Sequence, residues 1–336
     1  MTESTLVPDG RRYQLADLTL AMQQPWFAVH VHDEQSPISS WILSGEPEAD
    51  GLGVRARVWL ADVIQGIVAD GDGRVWAITR DDQLITNSDL RQVAGWRRMD
   101  AHPQLPGEGH WYSRKISWHA ADGERIELAS CLAWVNDGLL IGTVSRCLYR
   151  WTSGEHARLE YEEQGVGAMG GVNSIVVTSG AVHALGYGGL LLRRNAPGAW
   201  QRLQGPWPEE ATAFVNLIAG VEGPAGALWV VAAGGSVIHV SADEVGMLAQ
   251  VPGEPLGICR FQQQWFVSTL DGCYELCAEG EVALVRRGVL MGKSIASSDC
   301  LIAFDAEPPL PDSAGVHLWL RSRTRDRWVR QLLCRA

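Results

Sequence analysis

The sequence predicts an all-β fold, a seven-bladed β-propeller of four-stranded antiparallel blades, with residues 1–336 forming a single domain. Three observations predict it. Segments with the same order of features recur at a spacing of about 40 residues, the length of a propeller blade. Each segment is a set of short apolar or alternating stretches broken by Gly, Asp or Asn, the pattern of strands joined by tight turns. The 336 residues include 15 Trp and 37 Gly, which supply bulk between stacked sheets and freedom at turns.

The elements follow in order. In the first blade, residues 15–20 form the inner strand, 26–31 the second, 41–44 the third and 54–60 the outer one. The second blade has Ile67 and Val68, the Asp70-Gly71-Asp72-Gly73 turn, a strand around Trp76, residues 83–85, and an outer strand at 96–99. The third has 131–134, 139–143 and 147–151; the fourth has 172–177, 182–186, 189–193 and 200–203. The fifth has 215–218, 228–231 and 235–239, and the sixth 256–260, 265–269 and 272–276. The last has 293–296, 300–304, 316–320 and 328–332. Six or eight blades also fit the irregular end units. Both end blades look complete, so the first is expected to pack on the last without sharing strands. Trp76, Trp229 and Trp265 are expected to be structural.

Composition limits function. The formal net charge is −11, which disfavours nucleic acid, since neutralising phosphates needs a basic face. It suits a basic protein partner, whose encounter complementary fields accelerate. No apolar run reaches the roughly 18 residues of a spanning helix, and the N-terminus shows no basic-then-apolar leader. The seven scattered cysteines read as reduced thiols. The expectation is a cytoplasmic protein with no membrane contact and no cofactor.

Gly71-Asp72-Gly73-Arg74-Val75-Trp76 and Ile141-Gly142-Thr143 resemble the regulator-type and BNR-like (WD40-like) propeller repeats, in which an apolar inner strand, an Asp/Gly turn, a Trp-bearing strand and a Gly-led strand succeed one another. The resemblance implies the fold. The Asp box of sialidases is not reproduced, nor are the Trp-Asp and Gly-His signatures of WD40 blades. His183-Ala184-Leu185-Gly186 and Trp200-Gln201-Arg202-Leu203 resemble bacterial propeller proteins found beside secreted antibacterial toxins. That likeness implies an immunity protein that neutralises a cognate toxin by occluding it.

In a propeller, the turns between second and third strands share a face with the links from each outer strand to the next blade, and such loops often carry function. Residues 102–127 read as an inserted loop on that face, with Trp111, Tyr112, Arg114 and Trp118 as partner-binding anchors; packing of these aromatics onto their own blades is the other reading. Residues 306–315, rich in proline, form a second insertion. Asp33, Glu34, Asp81, Asp82, Asp271, Asp305 and Glu307 read as an acidic rim on the same face, although Asp is also common in turns for its backbone bonds.

Catalytic and metal motifs are sparse. His30 and His32 project from one side of a strand without an indicated third ligand, so no metal is expected. The Gly165–Gly170 glycine pattern lies between propeller strands and not at a strand-to-helix turn. A nucleophile elbow and a phosphate loop are both missing from the sequence. The alternative to a binding protein is a glycosidase or lyase with converging carboxylates at the channel mouth.

Overall fold

The computed structural model describes residues 12–33, 36–48, 51–99, 110–163, 170–242, 244–306, 315–323 and 325–335. Among these residues lie seven sheets, each built on four antiparallel strands in chain order, here called a (inner) to d (outer). They are the blades of a β-propeller, spanning residues 12–60, 64–115, 117–162, 172–202, 217–250, 255–286 and 291–335. The chain divides into two compact units, Met1–Ile116 with Ile295–Ala336, and Ser117–Ser294.

In the first unit, blade 1 stands between blades 7 and 2, and period-two alternation sorts its side chains between them. Phe27, Val29 and Leu43 pack with Ile302, Leu318 and Leu320 of blade 7. Trp26, Ala28 and Ile42, one residue out of step, pack with Ile64, Ile67 and Ala77 of blade 2. A strand covered on both sides reads as a continuous apolar run, which is why Trp26-Phe27-Ala28-Val29 carries no polar alternation. The first and last blades meet as complete sheets, as expected. Gln331 joins them further out, donating to the Leu52 carbonyl at 2.6 Å and accepting from the Leu52 amide at 2.9 Å.

In the second unit the same sorting repeats. Leu140 and Leu148 meet Val172, Ala184, Leu190 and Leu192. Leu185 and Leu191 turn the other way, towards Leu217, Leu228 and Val230. Val231 and Val237 pack on Ile258 and Val267. Trp229, fully buried, meets the Trp265 ring at 4.9 Å, and the Trp265 indole donates to the Glu222 carbonyl at 3.0 Å. The approach is close where blade 3 meets blade 4: a Cβ on Gly142 would lie 2.6 Å from Cys131 Sγ and 2.8 Å from Val172.

Neighbouring inner strands are not paired as sheets, and side chains bridge them. Among the described residues, strand a carries a β-bulge at Leu15/Asp17 in blade 1 and near its start in blades 2 to 6, at Ile64/Gly66, Ala129/Cys131, Val172/Ser174, Leu217/Ala219 and Pro255/Gly257. A bulge re-aims the extra side chain. Ser130 and Asn173, both bulge residues, donate to the carbonyls of Val172 and Leu217 in the next blade, at 2.6 and 2.8 Å. Asp17, beside the first bulge, accepts from the Ile67 amide at 2.9 Å.

The expected inserted loop differs from the structure. Residues 100–109 lie outside the described residues. The remainder is largely strand. Strand d of blade 2 is Tyr112–Lys115, paired with Gln83–Thr86, while Arg97–Arg98 is a fifth strand outside it. The reason is solvation. Tyr112 can be buried, whereas Arg97 and Arg98 are exposed and suit only the outermost position. Next, Ser117–Ala120 and Gly123–Arg125 form a hairpin appended to blade 3, with Ser117–Ala120 parallel to strand d, His156–Glu162. The proline-rich insertion at 307–314 lies outside the described residues.

Candidate protein-interaction face

The turn after strand b is built alike in blade after blade. A threonine often ends the strand and caps the turn: Thr79 Oγ1 accepts from the Gln83 amide and Thr143 Oγ1 from the Cys147 amide, each at 3.2 Å. The next residue donates its amide N–H to a carbonyl just before the blade's own strand a. In the first unit this pair is Arg80 to Val63. In the second the pairs are Val144 to Leu128, Tyr187 to Gly171, Ala233 to Asn216 and Leu270 to Glu254, all between 2.8 and 3.2 Å. With its backbone consumed and no role in the sheet, the side chain at this position points to solvent.

In the second unit that position holds Val144, Tyr187, Ala233 and Leu270, and the three large apolar side chains are exposed. Two more exposed apolar residues sit on the links between blades. Phe214, 86% exposed, ends a short 3-10 turn, Glu209–Phe214. Ile126, wholly exposed, precedes Glu127, whose carboxylate takes the Ser145 hydroxyl beside Val144. Val144, Tyr187 and Phe214 are linked through neighbouring backbone. Gly171 abuts the Val144 backbone, Gly170 abuts the Tyr187 ring, and Tyr187 bridges to Asn216, two residues past Phe214. Isolated exposed apolar residues need no explanation; a row of them at equivalent turn positions makes this face a candidate interaction surface.

The polar groups among them carry both charges, with Arg286 and Arg287 exposed beside Gly272. Glu209, Glu210, Glu254 and Asp271 are exposed. Two arginines are paired: Arg125 with Glu162 at 2.8 Å, and Arg202 with Glu163. Arg146 is buried, with Nε donating to the Gly170 carbonyl at 3.3 Å; burial lowers its pKa, and Glu163 opposes that shift. Burial also pushes the Cys147 thiol up to about 11, so it stays protonated and unreactive at neutral pH. Burial, reinforced by Glu163, raises the Tyr161 hydroxyl to about 12.

The anchors expected from the sequence take other roles. Trp111, 5% exposed, sits edge-on to Trp26 at 6.0 Å, within the core between blades 1 and 2. Tyr112 is buried, with its hydroxyl 3.5 Å from Asp89. Arg114 donates to the Ala94 carbonyl at 3.0 Å. Trp118, 2% exposed, packs on Tyr149. Tyr112 and Trp118 fill core space from strands, and Trp111 from the position just before Tyr112–Lys115. Asp305 is buried as well, accepting from the Trp319 indole at 3.1 Å and pairing with Arg330 at 2.5 Å. Asp33, Asp81 and Asp271 are exposed and Asp82 half-buried, all at the turns after strand b, in the first unit except for Asp271. Glu34 and Glu307 lie outside the described residues. His30 uses its Nε2 on the Ile64 carbonyl at 2.7 Å, and burial lowers its pKa. Gly165 to Ala168 also fall outside the described residues.

No protein-family profile and no curated protein matches the chain. Solved structures do. Sqt1 of Saccharomyces cerevisiae aligns with a TM-score of 0.60 at 7% identity, covering 99% of this chain and 89% of that one. The extracellular domain of a putative one-component system from B. thetaiotaomicron aligns with a TM-score of 0.59 at 11% identity, covering 96% of this chain; the chain spans 43% of that protein's length. The RRP9 WD40 repeats align with a TM-score of 0.55 at 13% identity over 88% of each chain. The chain is thus a β-propeller similar to the WD40-like and BNR-like class, and at these identities the likeness is one of fold.

Proposed function

We propose that this chain is a non-catalytic propeller that binds another protein through the turn-bearing face of blades 3 to 6. The observation that carries the reading is the row Val144, Tyr187 and Leu270 at one equivalent turn position, extended by Phe214 and Ile126. Such residues lower the folded state's solubility and gain nothing inside the blades, so a partner that covers them accounts for their presence. The exposed carboxylates among them and the net charge of −11 favour a basic partner. The most specific form of this reading is an immunity protein that covers a basic secreted toxin; the charge supports it, together with the resemblance of residues 183–186 and 200–203 to propellers found beside such toxins.

The test is capture of partners by tagged wild-type protein beside a Tyr187→Asp/Phe214→Asp variant, at low and high salt. The reading expects a stoichiometric basic protein that the variant loses and that salt weakens. Equal recovery by both proteins would refute it.

A further inference from the structure

The hairpin appended to blade 3 creates a second chemical feature, on strands rather than turns. Ser117 and His119 lie two residues apart and so project from the same side of their strand. Parallel pairing sets Ser117 level with His156 on strand d and His119 level with Arg158. His156 Nδ1 lies 2.9 Å from Ser117 Oγ, and His119 Nε2 lies 3.1 Å from the same oxygen. The two rings are 4.2 Å apart between centroids, inclined at 61°. Two imidazole nitrogens from separate strands therefore converge on one point, which a single small hydroxyl now occupies.

Core packing does not require this arrangement. His156 is exposed and His119 only half-buried. A hydroxyl carries one proton, so it donates to at most one of the two nitrogens. Paired neutral imidazoles on a rigid sheet are the donor set that borderline divalent ions prefer. Exposure leaves room for water to complete the coordination sphere. In register, His119 has Glu124 on one neighbouring strand and Arg158 on the other, so the local charge is balanced and does not repel a cation.

We propose that His119 and His156 form a two-imidazole site for a divalent transition-metal ion of the zinc, nickel or copper type, the ion taking the place between the two nitrogens that the Ser117 hydroxyl holds in its absence. The site is separate from the turn-bearing face and does not depend on it.

Calorimetric titration of the untagged full chain with Ni2+, and separately with Zn2+, tests this. One site per chain is expected. His156→Ala and His119→Ala should each weaken binding by at least about tenfold, the lower end of what disturbing even a supporting residue costs a metal site. Ser117→Ala should retain the site, and His30→Ala, at the other histidine pair, should leave it unchanged. His156 is exposed, so His156→Ala remains decisive if His119→Ala proves unstable. Absence of stoichiometric binding, or binding that survives His156→Ala, would overturn the proposal.

Discussion

The Trp118 indole packs edge-on against the Tyr149 ring, with centroids 5.0 Å apart and planes inclined at 72°. Both side chains are essentially inaccessible, and the Tyr149 hydroxyl donates to Glu127 at 3.0 Å. The hairpin thus locks onto blade 3 through an aromatic pair. Trp118→Ala should lower the unfolding free energy by about 3–5 kcal/mol, as for other buried Trp truncations. Denaturant titration measures this; a variant as stable as wild type would mean the hairpin does not dock as described.

Asp17 links blade 1 to blade 2. It is buried, and its two carboxylate oxygens accept from the amides of Leu18 at 2.8 Å and Ile67 at 2.9 Å. Asp17→Ala leaves two buried N–H groups without acceptors, at a cost of about 1–3 kcal/mol each. The urea midpoint should fall clearly. Asp17→Asn, which keeps one acceptor oxygen, should fall less.

A charged network joins blades 3 and 4. Glu160, almost fully buried, accepts from Arg194 at 2.8 Å, Arg150 at 2.7 Å and the Trp200 indole at 3.0 Å. Asp137 pairs with both arginines as well, Arg194 at 2.8 Å and Arg150 at 2.9 Å, so Glu160→Ala leaves the cations partnered and mainly strands the Trp200 indole, at a cost of about 1–3 kcal/mol. Thermal unfolding of the variant checks it, with Arg194→Ala expected to show a comparable loss.

His183 makes stability depend on pH. Burial, with a smaller contribution from Arg193, lowers its pKa from 6.5 to about 4. The folded protein thus holds the ring neutral where the unfolded chain protonates it. The stabilisation is complete above about pH 6.5 and is lost as pH falls towards about 4, at up to about 1.4 kcal/mol per unit. Unfolding free energies measured between about pH 7 and pH 5 should show this slope, and His183→Leu should flatten it.

Much of the fold was legible because the blade is a repeated unit with fixed chemistry. The Asp70 turn is an example: Oδ1 accepts from the amides of Asp72 and Arg74, and Oδ2 from the Trp76 indole at 2.9 Å. An Asp, two glycines and a Trp at that spacing can be read directly. The outer strands were harder. Val282–Arg286 is exposed almost throughout and lacks clear alternation, as the outermost strand of a blade can. Blade 2 misled for a similar reason: Trp96 flanking Arg97-Arg98 resembles an outer strand, while Tyr112–Lys115 occupies that place after a long connection.

The proposed interaction face was less legible than the fold. Trp111 and Trp118 read as loop aromatics because their segment lacks a clear strand pattern, and both are core. Val144, Tyr187 and Leu270 are ordinary one at a time. Their signal is positional: each follows the end of a second strand, in Thr143-Val144-Ser145, Gly186-Tyr187-Gly188 and Thr269-Leu270-Asp271. Aligning the repeats at that turn exposes an apolar residue where polar turn chemistry is the norm.

Protein binding by this face is tested most directly by pairing partner capture with stability for the Tyr187→Asp/Phe214→Asp variant. The variant should unfold within about 0.5 kcal/mol of wild type, as for exposed positions, and lose the partner that wild type retains. An intact variant that still captures the same partner in equal yield would contradict it.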